Sequence, residues 1–358
     1  MDDRPAVSRI LILKTAALGD VLRTTSILPG IAAKYPGTRV TWVTAAAARP
    51  LVEHHPHVHA VLDVDARDAD AVASLAARLQ RERWLRVLSL DDELPLCRLA
   101  ASVPCDQLSG AFARDDGPRA YTDDVAPWFD MGLLSRLGKT AADRMKVDNQ
   151  RSHPEIYAAM LGVAMGQPEL PLPASAVARA TDFAAAHALH AGGPVIGLNT
   201  GAGGRWPSKG LPVEVVVGAV RGLRAALLGK VTFLLLGGPE ERARNAALAA
   251  AIGALPGRPR LIDAGTDHAL LDFAALVDRC DLLLTSDSLA LHLAIARRRP
   301  IVAFFAPTSA AEIELYGLGE KVASTAPDYC SYRPDADNRT LTPARLVAAC
   351  ERVLGAAR

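Results

Sequence analysis

Short apolar runs recur along the chain, each followed by a stretch in which apolar residues return every three or four positions. Runs of this kind read as buried strands and the longer stretches as amphipathic helices, so their alternation predicts βαβ units around parallel sheets. In the first half the spacing predicts strands over Ile10–Lys14, Val40–Thr44, His59–Leu62 and Leu85–Leu90, with helices over Val21–Lys34 and Asp70–Arg83. Between Asp106 and Asp148 the pattern fades, and "ARDDGPRAYTDD" is polar and turn-rich, which predicts a loop over one face of the first sheet. "HPEIYAAMLGVAMG" is helical, "QPELPLPAS" carries prolines as a linker does, and "ATDFAAAHALHAGG" is a helix with a glycine stop. The register then restarts, with strands predicted over Val195–Asn199, Val231–Gly237, Arg260–Ala264, Asp281–Thr285 and Ile301–Phe305. Helices over Leu211–Leu227, Glu241–Ala251, Ala269–Arg279, Ser288–Arg297 and Thr342–Ala357 complete this half.

The 358 residues exceed one ordinary core and suit two domains. The expected boundaries are 1–172, 173–340 and a closing helix, 341–358, packing back on the N-terminal domain. A net charge of +1 argues against a general nucleic-acid surface. No apolar run reaches the roughly 20 residues of a membrane helix. "MDDRPAVSR" runs straight into a strand, so no signal peptide is expected. Cys97, Cys105, Cys280, Cys330 and Cys350 are scattered without a CxxC pair, as reduced thiols of a cytoplasmic protein would be.

Open parallel sheets bind ligands beyond the carboxyl ends of their strands, so the residues after each strand carry the functional reading. After the first strand comes "KTAALGD". Asp20 there fits an N-cap, accepting from helix N–H groups, as the first reading, and a cleft-facing general base held ionised by the helix dipole as the alternative. "NTGAGGRWPSKGLP" places Gly201-Ala202-Gly203-Gly204, Arg205 and Lys209 between a strand and a helix. This suits an anion-holding loop, although the Walker GK[ST] ending is absent. In "LLLGGPEERARN", Glu240 and Glu241 fit either helix-terminal acids or, for Glu240, a contact to ribose. In "LLLTSDSLALHLAIARRRPIVAFFAPT", Asp287 and Ser288 precede a helix whose first N–H groups suit phosphate, with His292 one turn in. The alternative reading makes Asp287 and Ser288 caps and His292 structural. His54, His55, His57 and His59 lack partner ligands at metal spacing, so no metal is expected. No GxSxG elbow and no GxGxxG after the first strand appear, which removes support for a serine hydrolase or a dehydrogenase.

With these residues in hand, the chain resembles glycosyltransferase family 9, the ADP-heptose lipopolysaccharide heptosyltransferases and their relatives. "ILILKTAALGD" is similar to the family's K-T-x-x-L-G-D signature, and "LNTGAGGRWPSKGLP" to its glycine-rich loop. "LLTSDSLALHLAIARRRPIVAFFAPTS" is similar to its D-[ST]-x-x-x-H helix start followed by a strand and G-P-T. The resemblance runs from Ile10 to Gly319. It implies a GT-B architecture, two Rossmann-like doubly wound domains facing across a cleft, and inverting sugar transfer from a nucleotide sugar.

By that resemblance Asp20 is the general base, and Lys209 holds the diphosphate and stabilises the leaving nucleotide. Thr200, Gly201, Gly203, Glu240, Asp287, Ser288, Leu289 and His292 bind the donor, with Glu240 on the ribose. Thr15, Leu18, Gly19 and Arg23 form the acceptor-side loop, and Lys14 also matches the signature. No metal or cofactor is implied. The expected partners are ADP-heptose and a hydroxyl acceptor: a lipopolysaccharide core, a small metabolite or a protein. Peripheral membrane contact is allowed, and Arg23, Arg144, Lys146 and Arg151 are candidates to meet an anionic acceptor. Two departures bear on donor identity: Leu289 and Ala306 stand where the family usually has glycine. In the region of some relatives' cysteine-rich segment, Cys330 stands alone. The competing readings are a GT-B transferase or epimerase using a UDP or GDP sugar, and a nucleotide-sugar-binding protein without turnover.

Overall fold

The computed structural model describes residues 8–203 and 206–356. The chain divides into two compact units, Met1–Pro171 and Leu172–Arg358.

Unit 1 runs β1 (Arg9–Leu13), α1 (Leu18–Thr24), α2 (Leu28–Lys34), β2 (Arg39–Thr44), β3 (Ala60–Asp63), α3 (Ala69–Leu79) and β4 (Trp84–Ser89). It continues through α4 (Leu94–Ser102), β5 (Cys105–Ala113), β6 (Arg119–Tyr121), α5 (Ala126–Phe129), α6 (Lys139–Asp148) and α7 (His153–Leu161). Its sheet has the order β3-β2-β1-β4-β5-β6, parallel throughout except for β6 against β5. Ile10, Leu11, Ile12 and Leu13 are fully buried because β1 is covered on both faces, which explains its unbroken apolar run.

Two expectations are corrected here. The single helix over Val21–Lys34 is broken into α1, a 3-10 turn over Thr25–Ile27, and α2. Pro29 has no N–H to give the preceding turn, and the Thr24 and Thr25 hydroxyls donate to the carbonyls of Asp20 and Leu22, each at 2.7 Å. The stretch from Asp106 to Asp148, expected as a loop, contains most of β5, then β6, α5 and α6. The exposed "DQ" at the start of β5 hides its half-buried pattern. The stretch just after α7 lies against α2, where a Cβ on Gly30 would sit 2.2 Å from the Ala164 carbonyl oxygen.

Unit 2 comprises α8 (Ala174–Ala186), β7 (Val195–Asn199), α9 (Val213–Ala226), β8 (Thr232–Leu235), α10 (Arg242–Gly253) and β9 (Arg260–Asp263). It ends with α11 (Leu270–Val277), β10 (Leu282–Ser286), α12 (Leu289–Ala296), β11 (Ile301–Phe305), β12 (Gly319–Ala323) and α13 (Pro343–Ala356). All its strands are parallel, in the order β12-β11-β10-β7-β8-β9. β12 is a strand that the sequence pattern did not predict, since only Val322 of its residues is buried. The closing helix, expected against the N-terminal domain, gives Leu346, Ala349, Cys350 and Leu354 to the core of this unit beside Val216 and Val220 of α9. Its apolar stripe covers the sheet face that α9 leaves open, and a Cβ on Gly222 would meet Val347 Cγ2 at 2.7 Å.

Each sheet therefore reverses its winding direction at one place: between β1 and β4 in unit 1, and between β7 and β10 in unit 2. Crevices open at such switch points, beyond the carboxyl ends of the strands. Among the described residues, no helix is long and apolar enough to cross a membrane.

Candidate active site

At the switch point of unit 2, Asn199 ends β7 and Ser286, Asp287 and Ser288 follow β10. The Asn199 amide donates to Ser288 Oγ at 3.1 Å and to Thr285 Oγ1 at 3.3 Å. Ser286 Oγ donates to the Gly201 carbonyl at 2.6 Å, tying the glycine loop to β10. Ser288 is the N-cap of α12 by backbone, yet its hydroxyl does not cap the helix, so the capping reading of that side chain is set aside. Lys209 reaches into this turn, donating to both the carbonyl and Oδ2 of Asp287 at 2.9 Å. An ammonium has three donors, and Asp287 takes two of them. Burial pushes the Asp287 carboxyl up, but Lys209 and His292 outweigh it and bring it down to about 2. His292 is itself buried, in the second turn of α12.

The glycine loop is held from behind by Glu241. Its carboxylate accepts from Gly203 N at 2.6 Å and from Gly238 N at 2.9 Å. Glu241 thus joins the loops after β7 and β8, a structural task the sequence reading did not assign. Its exposed neighbour Glu240 lies alongside the loop, since a Cβ on Gly203 would approach Glu240 Oε2 to 2.8 Å. Gly203 has φ +69, and a Cβ on Gly201 would stand 2.5 Å from Glu241 Cγ. Gly203→Ala is expected to destabilise by about 1–3 kcal/mol, the cost of a left-handed non-glycine residue, measured by urea unfolding. A neutral variant would mean that the loop relaxes and that its φ is not required. Gly204 and Arg205, the remaining candidates of this loop, lie outside the described residues.

Two further supports were not read from the sequence. Arg244 of α10 donates to Thr200 Oγ1 at 3.0 Å and also to the Leu211 carbonyl, and burial pulls its guanidinium down. The segment after β12 folds over the Lys209 turn. Ser208 N donates to the Pro334 carbonyl at 3.2 Å, and Asn338 donates to the Gly210 carbonyl at 2.8 Å. Within this segment Tyr332 donates to Glu312 at 2.6 Å, and burial together with that carboxylate pushes its hydroxyl up. Trp206 stands edge-on to Tyr332, ring centres 6.4 Å apart.

At the switch point of unit 1, the loop after β1 is clamped by Asp91, which follows β4. Lys14 Nζ donates to Asp91 Oδ1 and to the Ala16 carbonyl, each at 2.5 Å. Thr15 donates to Asp91 Oδ2 from its backbone N–H and, at 2.7 Å, from its hydroxyl. The Trp42 indole N–H donates to the Lys14 carbonyl at 3.1 Å. Lys14, Thr15 and Asp91 are all buried. This polar knot fixes where α1 begins. The N-cap is Ala17, followed by Leu18, Gly19 and Asp20 as the first three helical residues. Asp20 is therefore not the cap that one reading made it. It stands in the first turn with its carboxylate 2.9 Å from Arg23 Nη2.

The sequence-predicted residues thus fall into two groups: Thr15, Leu18, Gly19, Asp20 and Arg23 at one switch point, and Thr200, Gly201, Gly203, Lys209, Asp287, Ser288, Leu289 and His292 at the other, with Glu240 flanking. Among the described residues no group of three or more side chains fit to hold a metal is present. His55 and His57 face each other with ring centres 5.8 Å apart, and burial lowers His55 to about 4.

Two doubly wound, Rossmann-like units in one chain are the fold of the GT-B class of glycosyltransferases. The sequence profile of glycosyltransferase family 9 (heptosyltransferase) matches residues 141–333, and the chain belongs to that family. The matched stretch holds Lys209, Asp287 and His292 and begins after Asp20. No curated protein matches the chain in sequence.

Among solved structures, a family 9 glycosyl transferase from Veillonella parvula is 18% identical with a TM-score of 0.76, covering 98% of each chain. ADP-heptose lipopolysaccharide heptosyltransferase II of E. coli is 17% identical with a TM-score of 0.65, covering 97% of this chain and 99% of that one. E. coli heptosyltransferase WaaC, solved with ADP, is 18% identical with a TM-score of 0.60, covering 98% of this chain and 99% of that one.

Proposed function

We propose that this chain is an inverting, metal-independent heptosyltransferase that takes ADP-heptose as donor. The observation that carries the reading is the Lys209–Asp287 pair at the start of α12, where a third ammonium donor and the first helical N–H groups suit a diphosphate. ADP and an ADP-heptose analogue are the ligands of the E. coli WaaC structures, which supports an adenine nucleotide here.

In the proposed reaction the acceptor oxygen attacks the anomeric carbon as its bond to the diphosphate breaks. The hydroxyl proton passes to Asp20, and the electron pair of the broken bond leaves on ADP. Lys209 and the amides of α12 meet the charge that develops on the departing phosphate, the kind of stabilisation worth most to such a step. Glu240 takes the ribose. Thr15, Leu18 and Gly19 shape the loop that presents Asp20 to an acceptor hydroxyl, and unit 1 is the acceptor side. A lipopolysaccharide inner core is the acceptor class most in keeping with the E. coli relatives. The five cysteines are thiols, not disulfides, which accords with a reducing cytoplasm.

A thermal-shift series over ADP, ADP-heptose, UDP sugars and GDP sugars tests the donor. A ligand at 100 times its Kd adds about 2.7 kcal/mol to the folded state. Stabilisation confined to the adenine compounds is the expected result. A preference for UDP or GDP sugars would transfer the chain to a different GT-B donor class, and a flat response to all of them would sink the reading.

A further inference from the structure

We propose that Arg23 is a positioning residue: clamped on the face of Trp128, it fixes the carboxylate of Asp20 and acts on transfer through Asp20, not by holding an anionic acceptor. The proposal rests on the reading of Asp20 as general base. A surface pair three residues apart on a helix is ordinarily loose and weak. Here the two partners differ: the Asp20 side chain is 39% exposed, whereas that of Arg23 is only 15% exposed. What covers Arg23 is aromatic. Its guanidinium carbon lies 5.4 Å from the centre of the Trp128 ring, within cation–π range.

Trp128 of α5 is in turn held edge-on by two residues of α7: His153, with ring centres 4.8 Å apart, and Tyr157, at 5.4 Å. His153 and Tyr157 are each 1% exposed, so the half-buried Trp128 ring beneath Arg23 rests on core residues. A planar guanidinium held on such a platform loses little freedom when it bonds a carboxylate, which is how arginine orients one.

Two other cations near α1 are committed elsewhere. Lys14 bonds Asp91, and Arg49 pairs with Glu53 at 3.0 Å and with Asp63 at 2.8 Å. Arg23 therefore sets the plane in which the Asp20 carboxylate meets a hydroxyl. A base turned out of that plane loses the near-attack geometry on which proton transfer depends.

The test uses the full chain, with ADP release from ADP-heptose and a lipopolysaccharide inner-core oligosaccharide as acceptor. Arg23→Met is expected to lower kcat by about 10- to 100-fold with both KM values and the Tm unchanged. Arg23→Lys should recover part of the loss. The Asp20→Asn/Arg23→Met double variant should be no slower than Asp20→Asn, since two residues acting through one group do not add. A raised acceptor KM, or losses that multiply in the double variant, would show Arg23 binding the acceptor and overturn the proposal. Asp20→Asn at the wild-type rate would instead remove the base reading itself. Nitrogen-15 NMR of the guanidinium needs no substrate: Arg23 should give split Nη resonances that average in Asp20→Ala, which has no acceptor oxygen, and averaged resonances in the wild-type protein would refute the clamp.

Discussion

Asp20→Asn is expected to slow transfer by roughly 10²- to 10⁴-fold, the range a positioned general base contributes, with ADP affinity unchanged. Asparagine keeps the shape of the side chain and an oxygen to accept from Arg23 Nη2, now 2.9 Å from the carboxylate. What it lacks is a basic oxygen able to take the acceptor's proton. Stability should change little, because Ala17, not Asp20, is the N-cap of α1. The variant loses a helix-surface ion pair worth about 0.3–0.5 kcal/mol and a dipole contribution of about 0.3–1 kcal/mol. Steady-state ADP release gives the rate, and titration calorimetry with ADP gives the affinity. A variant that turns over like the wild type would end the base assignment. A protein that merely binds nucleotide sugars would show no change in either measurement, because it has no turnover to lose.

The two sheets were readable because their central strands are buried on both faces and so appear as unbroken apolar runs. Ile10–Leu13 and Leu282–Leu284 are fully buried, and both were placed correctly from sequence. Edge elements were not: β12 and β6 have few buried residues, and β5 starts with exposed polar ones, so their period is faint. At the candidate site, the strand-end polar residues with a familiar spacing were legible, among them Asp20, Lys209 and Asp287. Asp91 carried the same signal, a carboxylate directly after the apolar run "RVLSL", and it went unused because its partners Lys14 and Thr15 lie more than 70 positions away. Arg244 and Trp128 had no local signal at all. Their roles exist only through contacts that the fold makes between distant segments.

Lys209→Met should reverse the pH dependence of stability near the start of α12. In the wild-type protein the Asp287 carboxyl stands at about 2, below its ordinary 3.8. A depressed carboxyl stabilises the fold above its ordinary value, and that stabilisation is lost as the pH falls through the folded value. The wild-type pair is thus fully effective at pH 7 and fades only in strong acid.

Burial is the largest influence on Asp287 and acts in the opposite direction, opposed chiefly by Lys209. Without the ammonium, burial prevails, the carboxyl rises above its ordinary value, and its ionisation as the pH increases then works against folding. The variant should therefore be least stable, relative to wild type, near neutrality, by about 3 kcal/mol, the usual cost of leaving one partner of a buried pair. The deficit should narrow as the pH falls and close only near the folded value of about 2. Urea unfolding at pH 3, 5 and 7 measures this, and Lys209→Met/Asp287→Asn serves as the companion variant, in which the part of the pH dependence that comes from this pair should vanish. ADP stabilisation should fall in both variants, because the ammonium that would meet the diphosphate is gone. Parallel pH profiles for wild type and Lys209→Met would show that the two charges are not coupled in the folded protein, and the donor-site electrostatics argued from them would fall.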